Sequence, residues 1–180
     1  MQTLDSRQNT HTLTWWLTGL SGAGKTTLAE ALASNLRSQG YPDCILDGDE
    51  LRKGLSNDLG FSFADIEEQS RRAAELARLL NSNGTMAIVP LVSPSARGRA
   101  AARQIIGNRH FIESYISTPL HVCQQRHPKG LYAKAKLDPA IQMTGVSAPY
   151  EAPVAAECII DTSQTELAIA IQQLTAFLKA

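Results

Sequence analysis

The run Gly19-Leu20-Ser21-Gly22-Ala23-Gly24-Lys25-Thr26 constrains this chain more than any other segment. It fits the pattern G-x-x-x-x-G-K-[ST] with nothing inserted or missing. The apolar, β-prone stretch Leu13-Thr14-Trp15-Trp16-Leu17-Thr18 precedes it. After it Leu28, Leu32 and Leu36 recur four residues apart until Gly40 and Pro42 stop the pattern, which predicts an amphipathic helix. Glycines adopt backbone conformations that a Cβ would forbid, so successive N–H groups can converge on phosphate oxygens. The helix behind the loop adds its positive end. Within this frame Lys25 is expected to reach the β- and γ-phosphates, and the Thr26 hydroxyl to sit on Mg²⁺. The segment therefore predicts a nucleoside triphosphate site.

A chain of 180 residues, 43% hydrophobic and 19% charged, suits one globular domain. A polar tail over residues 1–11 and a single domain over 12–180 are expected. Seventeen basic and seventeen acidic side chains balance, so no global field draws the chain to nucleic acid or membrane. The polar stretch Met1 to His11 does not resemble a secretory signal. No apolar run approaches the roughly 20 residues that span a bilayer. A cytoplasmic location is expected. Cys44, Cys123 and Cys158 sit beside apolar segments and read as small buried hydrophobes. His11, His110, His121 and His127 are too irregularly placed to suggest zinc.

Strands are predicted at Leu13 to Thr18, Cys44 to Asp47, Thr85 to Val92, His110 to Ser117 and Cys158 to Asp161. Several are short apolar runs without alternation, which suits strands buried on both faces of a parallel sheet. Helical patterns separate them. Ser62 with Asp65 reads as a capping box for a helix carrying Ala73, Leu76, Ala77 and Leu80 on one face. Thr118 before Pro119 reads as an N-cap, and Ser163 with Glu166 as the cap of a last helix with the stripe Leu167, Ile171, Leu174 and Leu178. Strand and helix alternate, which predicts a three-layer α/β domain. From Arg126 to Pro153 the periodicity lapses among Lys, Gly and Pro residues. So long a stretch is expected to be a mobile lid over the nucleotide.

Asp47-Gly48-Asp49 ends the second predicted strand. Ligands of open α/β sheets bind beyond the carboxyl ends of strands, so both carboxylates should face the phosphates. One could hold Mg²⁺ through water, and the other could orient or deprotonate an attacking hydroxyl. A turn with a helix N-cap is the plainer alternative. The third strand, Met86 to Val92, ends without an aspartate, which leaves the metal's charge to Asp47 and Asp49. No Asn-Lys-x-Asp run for reading guanine is present. Arg52, Arg71 and Arg72 follow the acidic pair and are candidates for an oxyanion, or for solvated helix faces.

These segments together resemble the adenylylsulfate kinases, which phosphorylate the 3′-hydroxyl of adenosine 5′-phosphosulfate with MgATP. The resemblance runs through Gly19 to Thr27, Leu46-Asp47-Gly48-Asp49 with Leu51-Arg52, Asp58-Leu59-Gly60-Phe61-Ser62, Arg71-Arg72 and Ser93-Pro94. It continues in Phe111-Ile112-Glu113, Thr118-Pro119-Leu120, Pro128-Lys129-Gly130-Leu131-Tyr132, Thr144-Gly145 and Pro149-Tyr150-Glu151-Ala152-Pro153. It implies a P-loop kinase fold with a mostly parallel five-stranded sheet, ATP and Mg²⁺ as cofactors, and adenosine 5′-phosphosulfate as substrate. A homodimer and a functional link to a separate ATP sulfurylase are further implied partners. By resemblance Gly19, Leu20, Ser21, Gly22, Ala23, Gly24, Lys25, Thr26, Thr27 and Arg126 bind ATP, with Arg126 against the adenine. Asp47, Asp49, Arg52, Phe61, Lys129 and Leu131 serve the acceptor, with Phe61 on its adenine and Arg52 on its phosphosulfate. Lys25, Asp49 and Ser93 are the catalytic set. Ser93 matches a serine often labelled a phosphoserine intermediate, but in-line transfer needs no covalent step, so a site-lining hydroxyl is the expected role.

The chain departs from the family pattern at Ile66, Gln69, Ala96, His127 and Ser147, several of which remove charge near the acceptor. Two alternatives follow. One is a small-molecule or nucleotide kinase of the same fold with another hydroxyl acceptor. The other is a nucleotide-binding regulatory module, which would need Lys25 and Thr26 but not Asp49, Arg52 and Phe61 together.

Overall fold

The computed structural model describes residues 12–126, 130, 132, 135 and 143–179. Strand β1 (Thr14–Thr18) leads through the glycine-rich loop into α1 (Lys25–Ser38), followed by β2 (Asp43–Ile45) and the short α2 (Gly48–Lys53). Then come α3 (Phe63–Ser82), β3 (Met86–Pro90), α4 (Ala96–Ile106), β4 (Phe111–Ile116) and α5 (Leu120–Arg126). Strand β5 (Cys158–Ile160), helix α6 (Leu167–Thr175) and a 3₁₀ turn (Ala176–Lys179) complete the described chain. The sheet order is β2-β3-β1-β4-β5. All its pairings are parallel, with Thr14 beside both Ala87 and Phe111 in register.

Side-chain alternation along the central strand divides the core into two layers. Leu13, Trp15 and Leu17 pack with Leu28, Leu32, Leu36, Ile171 and Leu174 on the α1/α6 face. Trp16 faces the other way, among Ala73, Ala77, Val89, Ala102 and Phe111 beneath α3 and α4. Both indoles are fully buried, so each N–H needs an acceptor. Trp15 Nε1 donates to the Leu174 carbonyl at 2.9 Å, and Trp16 Nε1 to Ser93 Oγ at 3.1 Å. Helix α3 starts at the expected capping box, where the Ser62 side chain accepts from Asp65 N and the Asp65 side chain from Ser62 N. Small Ala73, Ala74 and Ala77 are buried on its inner face and let α3 lie close on the sheet.

Three local readings are corrected. Thr118 is no helix cap: its hydroxyl donates to the Ala23 carbonyl at 3.0 Å, and α5 opens instead with Cys123 N donating to the Pro119 carbonyl. Ser163 does not cap the last helix either. Its N and Oγ both donate to Asp161 Oδ1, and α6 begins at Leu167 with Glu166 at the N-cap. Cys44 is only half-buried, on the short strand β2, whereas Cys123 and Cys158 are buried. Of the expected lid, residues 126, 130, 132, 135 and 143–153 are described; Tyr132, Ala135 and Met143 join the α1 core. No described helix is long and apolar enough to cross a membrane.

Candidate active site

The glycine-rich loop turns at the carboxyl end of the central strand. Gly19, at φ +152°, could carry no side chain, because a Cβ would lie 2.5 Å from the Ile116 carbonyl oxygen. Gly24 occupies the left-handed N-cap position of α1 with φ 99° and no side-chain cap. The first-turn N–H groups of α1 therefore open toward the cleft. Lys25 Nζ is buried and donates to the carbonyls of Gly19 and Leu20 at 2.9 and 2.8 Å. Burial lowers its pKa from the ordinary 10.5 to about 8, with Cys123 and Asp47 opposing the drop. The ammonium is charged at neutral pH and costly to hide without an anion nearby.

One cleft of about 690 Å³ runs across this loop. Ser21, Gly22, Gly24, Lys25, Thr26 and Thr27 form its middle. Gly19, Leu20 and Ala23, also expected to bind nucleotide, shape the loop from behind: the first two present carbonyls to Lys25, and Ala23 is fully buried. Because β1 is central, the cleft has two ends. On the β4/β5 side lie Arg126, Thr162, Thr165, Leu167 and Ala170. On the β2/β3 side lie Asp47, Asp49, Arg52, Phe61, Ile66, Gln69 and Ser93. Lys129 and Leu131 lie outside the described residues, as does His127.

At the β2/β3 end, Asp47 is the helix cap weighed for it and also reaches the phosphate loop. Oδ1 accepts from Asp49 N at 2.9 Å and caps α2, while Oδ2 accepts from Thr26 Oγ1 at 3.2 Å. The cap places Asp49 in the first turn of α2, facing the cleft. Arg52 Nη1 donates to the carbonyls of Leu59 and Gly60 at 3.0 and 2.7 Å, and its guanidinium carbon sits 4.3 Å from the centre of the Phe61 ring. Phe61 itself is 70% exposed, a large apolar face held open beside a cation. Burial pulls the Arg52 pKa down against the opposing pull of Asp65 and Asp49. Gln69 Nε2 donates to the Gly48 carbonyl at 2.8 Å and braces the start of α2. Arg71 and Arg72 do not line the cleft: Arg71 pairs with Glu68, and Arg72 with Glu68 and Asp58. Arg97 is likewise held at the surface by Glu67, its side chain 78% exposed.

Two groups of residues passed unnoticed in the sequence. Thr162 Oγ1 donates to the Ala23 carbonyl at 2.8 Å, lies 2.9 Å from Thr118 Oγ1, and accepts from Arg126 Nη1 at 2.6 Å. These two hydroxyls clamp the apex of the phosphate loop to the ends of β4 and β5. Tyr132 Oη fastens the same loop by donating to the Ser21 carbonyl at 2.8 Å. The second group surrounds Arg99, buried beneath Ser93 on α4. Its only sequence signal is the spacing of Arg99, Ala102 and Ile106, which places a cation on the apolar face of a helix.

A glycine-rich loop on the central parallel strand, an acidic pair beyond the end of the edge strand β2 and one cleft open on both sides define a phosphotransferase of the three-layer P-loop kinase class. Comparison with known proteins narrows the class. The family model for adenylylsulphate kinase matches residues 11–161. The chain belongs to that family. The adenylyl-sulfate kinase of Shewanella denitrificans is 47% identical over 165 residues, 92% of this chain and 80% of that protein. The Mycobacterium tuberculosis APS kinase CysC, solved with AMPPNP and APS, superposes with a TM-score of 0.89 at 38% identity, covering 94% of this chain and 99% of that one. A hexameric APS kinase from Thiobacillus denitrificans aligns with a TM-score of 0.70 and 32% identity over 94% of this chain and 29% of its own. A gluconokinase from Sinorhizobium meliloti, 16% identical with a TM-score of 0.62, shares the fold alone.

Proposed function

We propose that this chain transfers the γ-phosphoryl group of ATP to the 3′-hydroxyl of adenosine 5′-phosphosulfate, giving 3′-phosphoadenylyl sulfate. The carrying observation is the single cleft that joins the phosphate loop to a second end bearing Asp49, Arg52 and Phe61. A phosphoryl donor and a nucleotide acceptor can meet there across the loop. Family membership and the similarity to the APS kinases support the choice of acceptor.

In this reading ATP lies along the loop with its base toward Arg126, Thr162 and Leu167. Loop and helix N–H groups bind the phosphates, and Lys25 exchanges its two carbonyl partners for phosphate oxygens. Lys25 then offsets the charge that shifts onto the transferring group, a preorganised electrostatic contribution. The acceptor lies at the other end, its adenine against Phe61 and its phosphosulfate near Arg52. Asp49 orients or deprotonates the attacking hydroxyl. Ser93 lines the acceptor end; its Oγ already accepts from Trp16, which suits a fixed hydroxyl better than a nucleophile. Ile66 brings no charge to this end, so the hold on the phosphosulfate rests more heavily on Arg52.

Mg²⁺ belongs to the same proposal. Thr26 Oγ1 and Asp47 Oδ2 are hard oxygen groups 3.2 Å apart at the cleft. Mg²⁺ is commonly held by one or two such groups together with substrate phosphates and water. Bound there, the ion supplies charge neutralisation at the phosphates. A homodimer, a separate ATP sulfurylase supplying the substrate and a cytoplasmic location complete the reading. A coupled ADP-release assay with adenosine 5′-phosphosulfate, AMP and simple sugars tests it, with the sulfated nucleotide expected to be the preferred acceptor.

A further inference from the structure

Arg99 lies on α4 with 4% of its side chain exposed, outside the cleft and without a part in the transfer just described. Its guanidinium is nonetheless engaged in three directions. Nε donates to Glu113 Oε1 on β4 at 2.7 Å, Nη1 to the Ser93 carbonyl at 2.8 Å, and Nη2 to the Glu151 carbonyl at 2.7 Å. The guanidinium is planar with its donors at fixed angles, so acceptors held this way are fixed relative to one another.

Ser93 is the residue that requires such holding. Its φ of 42° makes it the one non-glycine residue with positive φ among those described. That conformation is strained for a residue with a Cβ and persists only where the surroundings over-determine it. Trp16 Nε1 fixes the hydroxyl at 3.1 Å, Arg99 fixes the carbonyl, and Thr18 Oγ1 approaches the same carbonyl at 3.3 Å. Glu151 is strapped to the same turn. Its N donates to the Pro94 carbonyl at 2.8 Å, and its carboxylate accepts from Ala96 N at 2.7 Å. The single proton of Thr18 goes to the Val92 carbonyl at 2.7 Å, which leaves Thr18 Oγ1 to accept from Tyr150 Oη at 2.9 Å. The turn after β3 and Glu151 thus meet on one buried guanidinium, with Thr18 against the same Ser93 carbonyl and Tyr150 joined to Thr18.

We propose that Arg99 is a positioning residue for the acceptor, acting through Ser93. It holds the turn after β3 in its left-handed form and so sets the wall against which the acceptor seats. An ion pair with Glu113 alone would be a stability feature; the two carbonyls on the same fork make the role geometric. The proposal rests on the acceptor end being the β2/β3 end, as read above.

The test is steady-state kinetics with ATP and acceptor varied separately, on the wild type, Arg99→Lys and Trp16→Phe. Arg99→Lys keeps the charge opposite Glu113 but cannot span all three acceptors. It should raise the acceptor KM about tenfold or more, the scale of one lost charge-assisted hydrogen bond, and leave the ATP KM within about twofold. Trp16→Phe removes the hydrogen bond to Ser93 Oγ, together with some buried volume, while retaining an aromatic ring against Phe111. It should shift the acceptor KM in the same direction by a smaller factor. If both KM values rise together, or neither moves in variants that melt cooperatively, the proposal is overturned. Should Arg99→Lys not fold, Trp16→Phe decides by the same split. The ratio is read with whichever acceptor the wild type uses, so an error in the acceptor's identity shows in the wild type and an error about Arg99 in the variants.

Discussion

The two ends of the cleft are built by different means. The loop and its nucleotide end depend on backbone: glycine conformations, helix N–H groups, and carbonyls clamped by Thr118, Thr162 and Tyr132. The β2/β3 end, proposed above for the acceptor, is lined by side chains drawn from α2, the Phe61 turn, α3 and the turn after β3. Backbone chemistry needs a contiguous stretch of chain, because successive N–H groups must point to one place. Side-chain chemistry has no such requirement. The phosphate loop is therefore carried by one contiguous segment, whereas the β2/β3 end is where Ile66 and Gln69 can alter what is held without disturbing the loop.

The sharpest way to break this comparison is to remove the buried cation at the centre of the loop. Lys25→Ala should lower kcat by about 10²–10³-fold, the range for a lost preorganised charge, in a variant that still melts cooperatively. Near-normal turnover in a folded variant would mean that the loop does not carry the transfer. Asp49→Asn keeps size and removes charge. Its kcat should fall by about 10²-fold, the lower range for a general base, and its melting curve should hardly move. Survival of activity would shift the role to Asp47.

Thr162→Val addresses the nucleotide end alone. It deletes a hydroxyl shared by the Ala23 carbonyl and Arg126. The ATP KM should rise about tenfold, as expected for a charge-assisted hydrogen bond, with the acceptor KM unchanged and Thr162→Ser restoring most of the loss. An equal rise in both KM values would show that the ends are not separable.

The smallest effect concerns pH. Lys25 has a pKa of about 8 in the free protein, lowered by burial, and phosphate beside it would raise that value. Above pH 8 the free protein has begun to lose the proton that the complex keeps, so nucleotide binding takes up protons and apparent affinity falls as pH rises. At pH 8.5 the weakening should be about fourfold relative to pH 7. Calorimetry in two buffers of different ionisation enthalpy would show the uptake. Proton release would contradict the assignment.

What could be read in the sequence follows the same division. The loop, α1 and the strands around β1 were legible because apolar runs buried on both sides and a gapless motif leave local signatures. The capping box at Ser62 was legible for the same reason. Helix α2 was legible only as the alternative of a turn with a helix N-cap at Asp47-Gly48-Asp49, because the whole helix is six residues long. Thr118 and Ser163 were misread because a hydroxyl ahead of a helix is ordinarily a cap, whereas here one reaches the Ala23 carbonyl and the other Asp161. Arg99 escaped because arginines on helices are mostly solvated, and its partners Ser93, Glu113 and Glu151 are joined only by the fold. Arg52 was read as an oxyanion group, and its grip on Leu59, Gly60 and Phe61 could not be foreseen from spacing.

The central claim is that this cleft phosphorylates a sulfated adenylate, and it is tested most directly by kcat/KM for adenosine 5′-phosphosulfate beside AMP and simple hydroxyl acceptors under saturating MgATP. The sulfated nucleotide should lead by more than about tenfold, equivalent to ~1.4 kcal/mol at the transition state. Another acceptor leading by the same margin would leave the fold and the loop as described and contradict the substrate.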